Sequence, residues 1–144
     1  MKTSLSDSFL DALILNTDGT EDPSRPIAIG DIVRKATVHL LGQEIFTSHV
    51  FDNMITDLTT AGYTEGTDLF VFPYDWRFSS AKSAQLLKDK IDNILIQTGK
   101  SKVDIISHSM GGIVAKKYIA DNGPDKVDQL FFLGTPQIGA PKAF

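Results

Sequence analysis

The apolar positions of this chain fall into blocks of different period. Phe46, Val50, Met54 and Leu58 recur every fourth residue, with Phe51 and Ile55 beside them. That spacing predicts one face of a helix over Phe46 to Ala61, and Gly62 is placed to end it. Leu69-Phe70-Val71-Phe72 is a continuous apolar run bounded by Gly66 and Pro73, which predicts a strand buried on both faces. Helical period returns at Ala84, Leu87, Ile91, Ile94 and Leu95, behind a cap at Ser79 or Ser80 and ahead of Gly99. Val103 to Ile106 and Val127 to Leu133 read as strands. Between them Ile113, Val114, Tyr118 and Ile119 mark a helix that stops at Asn122-Gly123-Pro124.

Before residue 46 the pattern loses its period. Phe9 to Leu15 fits a short helix or a strand, and Asn16-Thr17-Asp18-Gly19 and Glu21 to Pro26 are turn signals. Ile27 to Leu41 alternates without a clear frame. Residues 1–45 therefore read as an irregular cap or connecting segment, and residues 46–144 as the core. In that core helix and strand alternate, which means an α/β fold with a parallel sheet and helical crossovers. The carboxyl ends of parallel strands share one rim, and that rim would gather Tyr74 to Arg77, Ser109 and the loop from Gly134 to Pro141.

Composition narrows the chemistry. With 42% hydrophobic residues in 144, the chain has apolar content for a single globular core. A net charge of -4 offers no basic footprint for nucleic acid. The lack of cysteine excludes a disulfide framework and thiolate metal ligation. No apolar run approaches the roughly 18 residues of a membrane span, and the first residues make a poor secretory signal. Asp18-Gly19 beside Asp22 lacks the ligand spacing of a calcium loop and reads as a solvated turn.

The stretch Val103 to Val114 carries the chemistry. A β-branched run ends at Ser107-His108-Ser109-Met110-Gly111-Gly112, and a helical pattern starts at once. Strand, sharp turn and helix with a serine at the apex is the layout of a nucleophile elbow, whose consensus is G-x-S-x-G. Ser107 stands in the first glycine's place. It is small enough to pack against Gly111 beneath the turn, while Gly112 lets the helix approach the sheet. Ser109 is thus the candidate nucleophile, and the Met110 N–H, at the positive end of a helix, is the candidate oxyanion donor. Tyr74, Asp75, Trp76, Arg77 and Thr135 are the candidate substrate contacts. Asp75 and Arg77 equally suit a pair that holds the loop beneath Trp76. Phe131, Phe132, Trp76 and Ile138 suit an acyl pocket or plain core.

A serine nucleophile needs a base, and in this fold the chain order is serine, acid, histidine. No histidine follows Ser109. His39 and His49 precede it, and His108 reads as part of the elbow. Asp121, Asp125 and Asp128 fall at the opposite edge of the sheet. The sequence is therefore expected to be the central part of a larger hydrolase domain, or to have the rest supplied by another chain.

Phe72-Pro73-Tyr74-Asp75-Trp76-Arg77, His108-Ser109-Met110-Gly111-Gly112, and Leu133-Gly134-Thr135-Pro136 through Gly139-Ala140-Pro141-Lys142 together resemble the lecithin:cholesterol acyltransferase family, over about residues 46–144. The resemblance implies the central part of an α/β-hydrolase fold and an acyl-enzyme on Ser109. It implies acyl-ester or lipid substrates, with transfer to water or to an alcohol, and no metal or organic cofactor. Such a substrate leaves room for transient contact with a membrane surface. The family's acid and histidine have no match here, so weak or no turnover is expected of this stretch alone. The alternative is a non-catalytic binding module or an inactive fragment on the same scaffold.

Overall fold

In the computed structural model the described residues are 11, 13–40 and 42–139, with backbone alone at 38–40. The Phe9 to Leu15 and Gly139 to Lys142 readings lie partly outside them. Two β-hairpin strands come first, β1 (Lys35–Leu40) and β2 (Gln43–His49). Helix α1 (Asp52–Thr60) follows, then α2 (Ser80–Thr98), β3 (Val103–His108), α3 (Met110–Asn122) and β4 (Val127–Leu133).

The second half forms as the periodicity predicts. Ser79 caps α2, accepting the Lys82 N–H at 3.3 Å, and Gly99 closes it in the left-handed region at φ 67°. Strands β3 and β4 pair in parallel across α3, from Val103↔Val127 to His108↔Leu133. The register shifts between Val103 and Ile105, where the Asp104 carboxylate accepts the Gln129 N–H at 3.1 Å. Ala84, Leu87 and Ile91 of α2 meet Val114, Ala115 and Tyr118 of α3 over Val127, and Phe72, Tyr74 and Ile105 pack against the same cluster. Full burial of a Leu, Ile or Val is worth about 1.5–3 kcal/mol, so this seam, more than helix propensity, holds the two helices in place.

Three expectations are corrected. The helix predicted over Phe46 to Ala61 begins only at Asp52, and Phe46 lies in β2. Ile45, Phe46 and Thr47 are residue types that suit a pleated strand, and Gly42 at φ 82° supplies the turn that pairs β2 with β1. The fourfold spacing of Phe46 and Val50 was thus shared between two elements. The Val50, Phe51 and Asp52 amides all donate to the Arg34 carbonyl, which ties the start of α1 to the base of the hairpin. Second, Lys35 to Leu40 is a strand, not irregular chain, and the hairpin straddles residue 45. Third, Leu69 to Phe72 joins no ladder among the described residues; its one bridge there is Glu65↔Leu69. The four residues are half-buried, so the expected burial on both faces is corrected as well. The observed parallel sheet among the described residues is therefore the β3–β4 pair.

Candidate active site

The elbow is built at the end of β3. Ser107 is buried, and its Oγ donates to the Phe131 carbonyl at 2.8 Å, fastening β3 to β4 just below the turn. Ser109 follows with φ 51° and ψ -125°. It is the one non-glycine residue at positive φ among the described residues. The pair of angles lies outside the left-handed helical basin near φ +57°, ψ +47°, and such a conformation costs about 1–3 kcal/mol. The Ser109 N–H donates to the Leu133 carbonyl at 2.9 Å, continuing the parallel ladder into the strained residue. Met110 begins α3, so its amide belongs to the first helical turn, whose N–H groups have no acceptor within the helix.

The two glycines after Met110 face different neighbours. A Cβ on Gly112 would overlap the Thr135 Oγ1 and stand 2.6 Å from Thr135 Cγ2 and 2.8 Å from Phe132 Cδ1. The helix start therefore lies against β4 and its loop only because residue 112 has no side chain, as the sequence predicts. A Cβ on Gly111 would meet only the Tyr74 hydroxyl, at 3.7 Å. A side chain thus has room at 111, and the approach that requires glycine lies at Gly112.

Tyr74 to Arg77 form the facing loop. Tyr74 is half-buried, its ring stacked on Phe72 at 5.8 Å, and burial raises its pKa. Asp75 and Arg77 turn inward. The Arg77 guanidinium donates to Asp75 Oδ1 at 3.0 Å and Oδ2 at 2.6 Å, and reaches Glu21 Oε1 at 2.6 Å. With side chains 6% and 4% exposed, Asp75 and Arg77 are a buried pair. Hydrogen bonds from Arg77 hold the Asp75 carboxyl below the usual range against the opposing effect of burial. Glu21 is lowered by the Ile27 N–H first and Arg77 second. Trp76, between the pair, is thrown outward and is 64% exposed.

The remaining candidates are placed as follows. The Thr135 Oγ1 is buried behind α3, with no hydrogen-bond partner among the described residues. Ser109, Met110, Tyr74, Trp76 and Phe131 line one cleft of about 1760 Å³, which the Leu69 to Phe72 run also lines. Phe132 packs toward Gly112 instead, and Ile138 is fully exposed. His108 meets the Phe51 ring edge-on at 5.3 Å. His39 and His49 belong to the hairpin, where the His49 Nδ1 stands 3.1 Å from the Asp52 carboxylate. Asp121 and Asp128 pair with Lys117 and Lys102. Glu21 was missed: it sits in a stretch of turn signals, 56 residues from Arg77, and only a buried arginine's need for a further acceptor hinted at it.

No described helix is long and apolar enough to cross a membrane. Residues 29–144 match the family described as lecithin:cholesterol acyltransferase. That match starts ahead of Phe46 and takes in the hairpin. Phospholipase A(1) LCAT3 of Arabidopsis thaliana is 38% identical over 96 residues, 63% of this chain and 22% of that protein. Lecithin-cholesterol acyltransferase-like 4 of the same plant is 31% identical over 107 residues, 71% of this chain and 20% of that protein. The chain thus spans about a fifth of the length of these curated relatives.

Proposed function

The chain belongs to the lecithin:cholesterol acyltransferase family, and on that premise we propose that it carries the nucleophilic serine of an enzyme that cleaves or transfers lipid acyl esters. The observation that supports this reading is the backbone of Ser109. A strained conformation at the tip of a strand, opening onto a helix N-terminus, is the form in which a serine hydroxyl is presented for attack.

In the proposed step the Ser109 hydroxyl gives its proton to a histidine base and its oxygen bonds to the ester carbonyl carbon. The carbonyl π electrons move onto oxygen, where the Met110 amide stabilises the charge. Collapse re-forms the carbonyl and breaks the bond to the alcohol, which leaves with the proton held by the histidine. Water or a second alcohol then takes the acyl group by the same steps in reverse. An Asp/Glu–His pair outside this sequence completes the triad. Trp76 and Phe131 border the acyl chain, while the Asp75–Arg77–Glu21 cluster fixes the loop that carries Trp76.

A fluorophosphonate probe tests the reading. It is expected to label full-length protein at Ser109, and Ser109→Ala should abolish labelling. A full-length protein that resists the probe, or an alanine variant that still reacts, refutes the assignment and favours the alternative of a non-catalytic binding module.

A further inference from the structure

Arg77 has a carboxylate close by in the chain. Asp75, two residues away, accepts the Arg77 backbone N–H at 2.9 Å and its guanidinium at 2.6 and 3.0 Å. That local pair balances its own charge. Glu21 adds a second carboxylate, 56 residues away, at 2.6 Å from Arg77 Nη2. Among the described residues Glu21 is therefore surplus to charge balance, and what it adds is a tie between distant segments. Its Oε1 also accepts the Ile27 N–H at 2.8 Å, so one atom joins the segment 21–27 to the loop 74–77. That loop lies against the elbow, with the Tyr74 hydroxyl 3.7 Å from the Cβ position of Gly111. Trp76 follows two residues later, exposed and lining the cleft with Ser109.

We propose that Glu21 is a positioning residue that sets selectivity for the acyl chain by holding the Trp76 indole at the wall of the cleft. This rests on the reading of Ser109 as nucleophile. Asp75 and Arg77 flank Trp76 and turn inward, so the direction of the indole follows from where the pair sits. Asp75 belongs to the loop and moves with it. Glu21 anchors the pair to a separate segment and so fixes its place. An indole binds an acyl chain by apolar contact. An acetyl group offers it no methylene, whereas an octanoyl chain offers several, each carrying a share of affinity. Contact of this kind is made in the ground state as in the transition state, so its loss raises KM and leaves kcat in place.

The test uses full-length enzyme with p-nitrophenyl acetate and p-nitrophenyl octanoate. For Glu21→Ala, KM for the octanoate is expected to rise about tenfold, the affinity that two buried methylenes carry, with kcat within threefold. KM for the acetate should change less than threefold. Glu21→Gln keeps an acceptor for Ile27 and Arg77 and should fall between Glu21→Ala and wild type. In a Trp76→Ala background, Glu21→Ala should have no further effect on the octanoate, as expected of two residues that act through one contact. An unchanged octanoate KM overturns the role. So does an equal rise on both esters, or a full effect in the absence of Trp76, either of which marks a general packing residue. If Glu21→Ala does not fold, Glu21→Gln decides: a rise of threefold or more on the octanoate alone supports the role, and no such rise overturns it. Failure of wild type to label with fluorophosphonate at Ser109 overturns the parent reading and this one together.

Discussion

Gly111 and Gly112 are adjacent, chemically identical, and predicted to respond to alanine with opposite sign. Both have ordinary helical backbone, since neither is among the glycines at positive φ. Alanine at 111 places a methyl 3.7 Å from the Tyr74 hydroxyl, an ordinary contact. The gain is about 0.4–1 kcal/mol from a less disordered unfolded chain. Alanine at 112 places its methyl 2.6 Å from Thr135 Cγ2 and 2.8 Å from Phe132 Cδ1. Carbon atoms prefer about 3.5–4.0 Å, so the neighbours must retreat by roughly 1 Å. Phe132 has an exposed side to move toward, but Thr135 is stiff about χ1 and wedged behind the helix. Overpacking of this kind costs about 1–3 kcal/mol, more than alanine recovers in helix propensity, at most about 1 kcal/mol. Thermal unfolding of the two variants beside wild type measures the difference. Gly111→Ala should match or exceed wild type, and Gly112→Ala should melt several degrees lower, at about 2–8 °C per kcal/mol. Equal shifts in the same direction would refute the claim that the approach of α3 to β4 is limited at residue 112.

Ser109→Gly should be more stable than Ser109→Ala by about 1 kcal/mol in urea titration, because glycine takes φ 51° without strain; equal midpoints would deny the strain. Ser107→Ala should lose about 0.5–1.5 kcal/mol with the bond to the Phe131 carbonyl, read from the same titration. Asp75 has a lowered folded pKa, so its contribution to stability is complete above the ordinary Asp value of about 3.9 and is lost as pH falls through the folded value. Asp75→Asn should therefore unfold more easily at neutral pH and show a flatter acid limb in thermal melts from pH 5 to 2. A wild-type slope in that variant would exclude Asp75 as a source of the acid sensitivity.

Elements whose signals are local were legible in the sequence. Helices α2 and α3 declare themselves through their apolar stripe, and Ser79, Gly99 and Gly123 mark their ends. The turn at Ser109 was legible because small residues at Ser107, Gly111 and Gly112 coincide with a switch from strand to helix period. The hairpin was not, since Phe46 and Val50 also satisfy a helical spacing and pairing with β1 depends on residues outside that window. The Leu69 to Phe72 run reports apolar surroundings, which a segment lining a cleft meets as well as a ladder strand. The inward turn of Asp75 and Arg77 was one of two readings open to the sequence. Their third partner, Glu21, lies too far along the chain for any pattern to reveal.

The rung between the Ser109 amide and the Leu133 carbonyl has a bearing on timing. Were the peptide before Ser109 to rotate toward a relaxed angle, that rung would open and the top of the β3–β4 pair would unzip with it. The tension at the apex is thus held by the pairing of the two strands themselves, with no ligand needed to maintain it. On the proposed reading, a substrate would meet a hook already cocked and would divert none of its binding energy to bending the backbone.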